Sequence, residues 1–222
     1  ALSLMLNSQK RAIASVQNIL PQLDDIIEKL TKHLSSNDEG RIIYSGAGTS
    51  ARIGVQDGVE LHPTFGWSKK RVDFIIAGGH EALTRSVENA EDDIIVAEKM
   101  VKKLSVSKND IVICLAASGN TPFTCKVAEL ATRLGALTLA ISNNPNADLF
   151  MNSKLKIFLD TGKEVVAGST RLKAGTSQKI CLNLISTIIM VNLGNVIDGK
   201  MINLVATNNK LRLKKANILT NT

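Results

Sequence analysis

Apolar residues recur at Leu23, Ile26, Ile27, Leu30 and Leu34, while Asp24, Asp25, Glu28, Lys29 and Lys32 fall on other faces. This spacing predicts an amphipathic helix. Residues 1–36 read as a pair of helices, with Pro21 in the first turn of the second. The pattern then changes to short apolar runs that end in glycine or hydroxyl residues. These runs predict strands at 41–45, 72–77, 110–116, 136–142 and 154–159. Helical stretches are expected at 50–61, about 80–104, 122–134 and 173–193, and a last one at about 201–216. The run from Ile180 to Leu193 is interrupted by Asn183, Ser186, Thr187 and Asn192. It falls short of the roughly 18 apolar residues of a membrane span, and it reads as a buried helix stopped by Gly194. The alternation predicts an α/β fold: a three-layer α/β/α sandwich around a five-stranded parallel sheet, preceded by an N-terminal helical hairpin. Ligands of such folds sit at the carboxyl ends of the strands, where the strand order switches direction.

Composition narrows the partners. The 222 residues are 44% hydrophobic, enough for one core, and 1–222 reads as a single domain whose hairpin packs on the core or on a partner subunit. The net charge of +7 is scattered apart from Lys69-Lys70-Arg71 and the tail Lys210, Arg212, Lys214 and Lys215. With aromatics at only 3%, stacking platforms for nucleic acid are not expected. An anionic small molecule suits the basic balance. Cys114, Cys125 and Cys181 are odd in number and lack C-x-x-C spacing, so unpaired thiols in a reducing compartment are expected. His33, His62 and His80 show no metal-ligand spacing. The apolar start "ALSLML" has no basic region before it, so it is not expected to be a secretory signal.

The candidate chemistry begins at Tyr44–Arg52, "YSGAGTSAR", whose G-x-G-x-x-A pattern fits a dinucleotide fingerprint. That reading needs an acidic residue at the end of the second strand, where this chain has Ala77-Gly78-Gly79-His80. Asp73 lies too early. A turn that needs glycine for its backbone angles explains Gly46 and Gly48 but not the adjacent hydroxyls of Thr49 and Ser50. A second loop of this kind, Ala117-Ser118-Gly119-Asn120-Thr121-Pro122, follows the third strand. Backbone N–H groups at a helix start, joined by Ser and Thr hydroxyls, form an anion site, and two such loops on one sheet edge would surround one phosphorylated ligand. A third polar loop, 168–176, brings Ser169, Thr170, Arg171 and Lys173, and it reads equally as a helix cap with solvated charges.

"GAGTSAR", "ASGNTP" and "AGSTRLKAGTSQK" together resemble the sugar isomerase (SIS) domain, and more narrowly the N-acetylmuramic acid 6-phosphate etherase family. "PTFG", "IAGG", "VENAEDD", "LGALTLAIS" and "NLVATNNKL" extend the resemblance over nearly the whole chain. The resemblance implies flavodoxin-like strand order and a cytoplasmic homodimer with sites near the subunit interface. It also implies cleavage of a lactyl ether in cell-wall sugar recycling, with no metal or organic cofactor. The family's two functional glutamates map onto Glu60 as acid and Glu91 as base. The phosphosugar would be held by Gly48, Thr49, Ser50, Ser118, Gly119, Asn120, Thr121, Ser169, Thr170 and Lys173. Beside these residues, Glu60 between Val59 and Leu61 suggests a protonated carboxyl in low polarity. Glu91, among Glu88, Asp92 and Asp93, also reads as a helix N-terminus that favours negative charge.

Several positions depart from the family's usual residues. Ala51 stands where glycine is usual, Val59-Glu60-Leu61-His62-Pro63 replaces S-E-C-P-P, and Asn120 replaces an arginine. Two other functions therefore stay open from sequence: a non-catalytic phosphosugar sensor, and an aldose–ketose isomerase of the wider SIS group.

Overall fold

The computed structural model describes residues 1–205. Helices α1 (Leu2–Gln17) and α2 (Leu20–Ser35) come first. Strands β1 (Ile42–Gly46), β2 (Val72–Ile76), β3 (Ile111–Leu115), β4 (Leu137–Ser142) and β5 (Leu155–Phe158) follow. They alternate with α3 (Gly48–Phe65), α4 (Ile94–Lys103) and α5 (Pro122–Arg133), and α6 (Lys173–Asn192) closes the core. A short antiparallel pair, β6 (Val196–Ile197) and β7 (Lys200–Met201), ends the described chain.

The sheet order is β2-β1-β3-β4-β5, with every neighbouring pair parallel. This is the flavodoxin-like order, and its direction switches between β1 and β3. Gly46 at the end of β1 is level with Ile76 of β2 and Leu115 of β3, so the loops after these strands open at one height.

The two sheet faces follow the period of two along each strand. Ile42 and Tyr44 of β1 pack with Leu23, Ile26, Leu30 and Leu61 and with Cys181, Ile185 and Ile189 of α6. Ile43 faces the other way, toward Ala97 and Val101 of α4 and Phe123 and Val127 of α5. The apolar helix 173–192 is therefore a core helix, with Cys181, Leu182, Ile185, Ile189 and Met190 buried. The hairpin packs on the core: Thr176 of α6 donates to Gln9 of α1 at 3.0 Å, and the buried stripe of α2 joins the same cluster. Cys114, Cys125 and Cys181 are unpaired. Burial raises the thiol pKa of each, that of Cys125 to about 11, which suits unreactive packing residues.

A charged cluster lies at the amino ends of the strands. Asp110, 1% exposed, accepts from Arg41 Nε and Nη2, each at 2.9 Å, and from the Ser107 N–H at 2.8 Å. Burial alone would raise its pKa, but these hydrogen bonds outweigh it and hold the carboxyl below its usual range. The stability that follows from this depressed pKa is present above the ordinary carboxylate range and is lost as pH falls through the folded value. Asp73 pairs with the same Arg41 at 3.0 Å, at the opposite end of the strands from the glycine loop, so it is not the ribose-binding acid of a dinucleotide site.

Two expected helices differ. Residues 80–104 are not one helix: single 3-10 turns at Gly79–Leu83 and Ala90–Asp92 precede α4. Gly78, Gly79 and Asn89 all have positive φ, which a continuous helix forbids. The side chain of Asp93 then caps α4 through the Val96 N–H at 2.9 Å. Of the helix expected at 201–216, Met201 instead closes the β6–β7 pair, and 206–216 lie outside the described residues.

Candidate functional site

A cavity of about 510 Å³ opens at the carboxyl ends of β1 and β3, at the switch in strand order. Its walls come from four segments that are distant in sequence. Ala47, Gly48, Thr49 and Ser50 form the loop and first turn of α3; Ala116, Ala117, Ser118 and Thr121 lie at the entry to α5. Gly168, Ser169, Thr170 and Arg171 precede α6, and Arg85, Ser86, Val87, Ala90 and Glu91 come from the irregular segment before α4. Two helix N-termini thus meet around one space, with hydroxyls at the rim.

The first loop is shaped for close approach. Gly48 has φ +53°, and a Cβ placed on it would lie 3.8 Å from Oε1 of Glu91. Glu91 therefore hangs directly over the glycine loop. Among the described residues no donor holds its carboxylate, which leaves it available as a base. It is the cavity's one carboxylate among the described lining residues, beside Arg52, Arg85 and Arg171. Arg52 is held by the Ala82 and Arg85 carbonyls, each at 3.0 Å, so its position is fixed and its charge is not cancelled. The field of the three guanidinium groups favours an anion in the cavity.

Ser50 is 7% exposed and donates to Oε1 of Gln178 at 2.8 Å. Helix α3 is anchored from below by Asp57, which accepts from the Tyr44 hydroxyl at 2.8 Å, Asn183 at 2.7 Å and Ser186 at 3.0 Å. Burial raises the Asp57 pKa, and these three donors oppose the rise. Its cost is spread over a full set of partners, as a buried carboxylate requires.

Gly48, Thr49, Ser50, Ser118, Thr121, Ser169, Thr170 and Glu91 converge on the cavity. Gly119, Asn120, Lys173 and Glu60 are not in its lining. Gly119 shapes the loop from behind, with φ +77° and room for a Cβ only 2.1 Å from that of Ala147. Asn120 accepts the Asp148 N–H at 3.0 Å and pins the loop to the turn after β4. Lys173 is 3% exposed, and its ammonium donates to the Lys163 carbonyl. Glu60 lies twelve residues beyond Gly48 on α3, about 18 Å along the helix axis. It is exposed, so the burial inferred from Val59 and Leu61 is not present within one subunit; Leu61 is buried and Val59 is 51% exposed.

Sequence reasoning misses Arg52, Arg85, Asp57 and Gln178 as parts of the site and its support. The 128-residue separation of Gln178 from Ser50 gives no local signal.

Gly119→Ala is expected to cost about 3 kcal/mol, from the left-handed backbone and the clash with Ala147 together. Chemical denaturation reads it, and an unchanged midpoint would mean that the loop has room to shift.

The family model for the glucokinase regulatory protein N-terminal SIS domain matches residues 25–131. An N-acetylmuramic acid 6-phosphate etherase of Bacillus cereus (strain AH187) is 44% identical over 207 residues, which cover 93% of this chain and 70% of that protein. The enzyme of the same name from Deinococcus radiodurans is 43% identical over 205 residues, 92% of this chain and 67% of that one. Among solved structures, an E. coli CFT073 protein solved as a ligand complex has a TM-score of 0.63 at 14% identity, covering 89% of this chain and 94% of that one. The Vibrio vulnificus NanR protein complexed with ManNAc-6P has a TM-score of 0.55 at 15% identity, covering 96% of this chain and 66% of that one. These structures share the fold.

Proposed function

The chain belongs to the N-acetylmuramic acid 6-phosphate etherase family, and from that premise we propose how its own residues carry the reaction. It is a carbon–oxygen lyase that releases D-lactate from N-acetylmuramic acid 6-phosphate and leaves N-acetylglucosamine 6-phosphate. One observation carries the proposal: a single free carboxylate, Glu91, faces two hydroxyl-rich helix N-termini across one cavity.

The phosphate is held by N–H groups at the starts of α3 and α5, with the hydroxyls of Thr49, Ser118, Thr121, Ser169 and Thr170 around it. In the open-chain sugar, C1 is an aldehyde, so the C2 proton is acidic and the lactyl oxygen on C3 is β to the carbonyl. Glu91 takes the C2 proton. The C2–H pair becomes the C2=C3 bond, and the C3–O bond breaks. A carboxylic acid delivers a proton to the departing lactate oxygen. Water then adds its hydroxyl to C3 while C2 regains a proton.

Glu60 is the acid by resemblance, and about 18 Å of helix separates it from the loop of its own subunit. We therefore assign the acid to Glu60 of the partner subunit in a homodimer. Leu2, Leu6 and Ile13 of α1 are 85%, 71% and 61% exposed, and Val59 stands beside Glu60. Such exposed apolar side chains support a second copy of the chain as their cover. The setting is cytoplasmic sugar-phosphate catabolism, in keeping with the unpaired thiols.

The test is incubation of the full chain with N-acetylmuramic acid 6-phosphate in ¹⁸O-labelled water, read by NMR and mass spectrometry. D-lactate, with label at C3 of the sugar, is expected. Binding without lactate would make the protein a sensor. N-acetylmuramic acid 6-phosphate left intact, with interconversion of a 2-hydroxy aldose phosphate and its ketose phosphate, would make it an isomerase.

A further inference from the structure

Arg52 spends one edge of its guanidinium on the backbone and keeps the other. Its Nε and Nη2 donate to the Ala82 and Arg85 carbonyls, each at 3.0 Å. A guanidinium carries five N–H donors in a rigid plane, and Nε with Nη2 makes up its side edge. The end edge, one N–H from each Nη nitrogen, stays unspent. Arg52 lines the cavity together with Ala82 and Arg85, the two residues that hold it, so the end edge is the part left to meet what the cavity contains. Both carbonyls are neutral, and among the described residues no carboxylate forms an ion pair with Arg52. A fixed plane with two parallel donors and an uncancelled charge suits a carboxylate, whose two oxygens it meets at once.

The helix relates this cation to the base. Arg52 follows Gly48 on α3 by four residues, so the two share a face one turn apart, about 5.4 Å along the axis. Oε1 of Glu91 lies 3.8 Å from the place of a Cβ on Gly48. Base and cation therefore stand about one helical turn apart along one wall. The other lining arginines are placed differently. Arg85 shares its charge with Glu81 at 3.6 Å, and Arg171 stands in the loop of Ser169 and Thr170.

The substrate of the proposed reaction carries two anions. Its phosphate sits on the helix N-termini and their hydroxyls. Its lactyl carboxylate is joined to C3 through one oxygen and one carbon, next to the C2 whose proton Glu91 takes. We propose that Arg52 binds the lactyl carboxylate and makes the cavity select a muramic over a glucosamine sugar phosphate. The inference rests on the etherase reading and adds a second anion subsite to it. Arg52 keeps its charge throughout, so it orients the leaving group beside the base and moves no proton.

The test is calorimetry on the full chain carrying Glu91→Gln, in which turnover is expected to be slow enough for the substrate to bind intact. The ligands are N-acetylmuramic acid 6-phosphate, the same compound with its lactyl carboxylate converted to the amide, and N-acetylglucosamine 6-phosphate. With Arg52 in place, amidation is expected to weaken binding about tenfold. Arg52→Gln is expected to weaken the acid about tenfold to a hundredfold and to leave the other two ligands within about twofold. Arg52→Lys keeps the charge without the paired donors and is expected to fall between.

Equal weakening of all the ligands by Arg52→Gln would place Arg52 on the phosphate or make it a strut for residues 82–85, and would overturn the proposal. So would equal affinity for acid and amide in the protein that keeps Arg52, a comparison that needs no Arg52 variant to fold. Lactate release by the wild type is scored separately. No release, with binding that depends on the carboxylate, would sink the etherase reading and leave this one standing. Release, with binding indifferent to the carboxylate, would do the reverse.

Discussion

Glu91→Gln is expected to lower the rate of lactate release about a thousandfold, within the ~10²–10⁴ range that a positioned base supplies. The reason is local. Glu91 is reached through a 3-10 turn whose first neighbour, Asn89, has φ 57°. That turn brings the carboxylate to the wall of the cavity beside Gly48, within the space that would hold the open-chain sugar. Glutamine keeps the volume and removes the basic oxygen. The Michaelis constant is therefore expected to move only a few-fold, which is the signature of an interaction made in the transition state. A second readout isolates the step: in deuterated water, exchange of the C2 proton should vanish together with turnover. A variant that keeps a tenth of the wild-type rate would remove Glu91 from the base's role.

The segment that carries Glu91 is also the one whose structure is least legible in the sequence. The strands can be read because each buried run ends at a glycine or hydroxyl, and β1 to β5 follow those runs closely. Residues 80–104 suggest a single helix because Ala82, Leu83, Val87, Ile94 and Ile95 can be fitted to helical spacing. What breaks the helix is backbone conformation at Gly78, Gly79 and Asn89, and the break is what brings Arg85 and Glu91 into the cavity. The hydroxyl loops can be recognised by composition, since a helix start with Ser and Thr has a fixed local meaning. Lys173 and Asn120 cannot be sorted from them, because their partners, Lys163 and Asp148, are 10 and 28 residues away. Glu60 defeats a local reading for a geometric reason. Successive helix positions point about 100° apart, so apolar neighbours in sequence do not bury a side chain.

The same geometry makes Glu60 the place where the assembly can be tested, and the expected effect is a recovery from near zero. Glu60→Ala and Glu91→Ala should each abolish most lactate release as pure proteins. Mixed by co-refolding, they should regain about a quarter of wild-type activity, because random pairing makes half of the dimers mixed and each mixed dimer holds one complete site. In that site one subunit supplies Glu91 and the partner subunit's Glu60 completes it; the other site lacks both. If Glu60 acted within its own subunit, every site in a mixed dimer would lack one carboxylate and no activity would return. The length of α3 favours the first outcome: about 18 Å of helix lies between the glycine loop and Glu60, several times the reach of a glutamate side chain. Recovery that disappears on dilution, in step with dimer dissociation measured by sedimentation, would tie the effect to the shared interface. No recovery at any protein concentration would overturn the shared site and return Glu60 to a role within its own subunit.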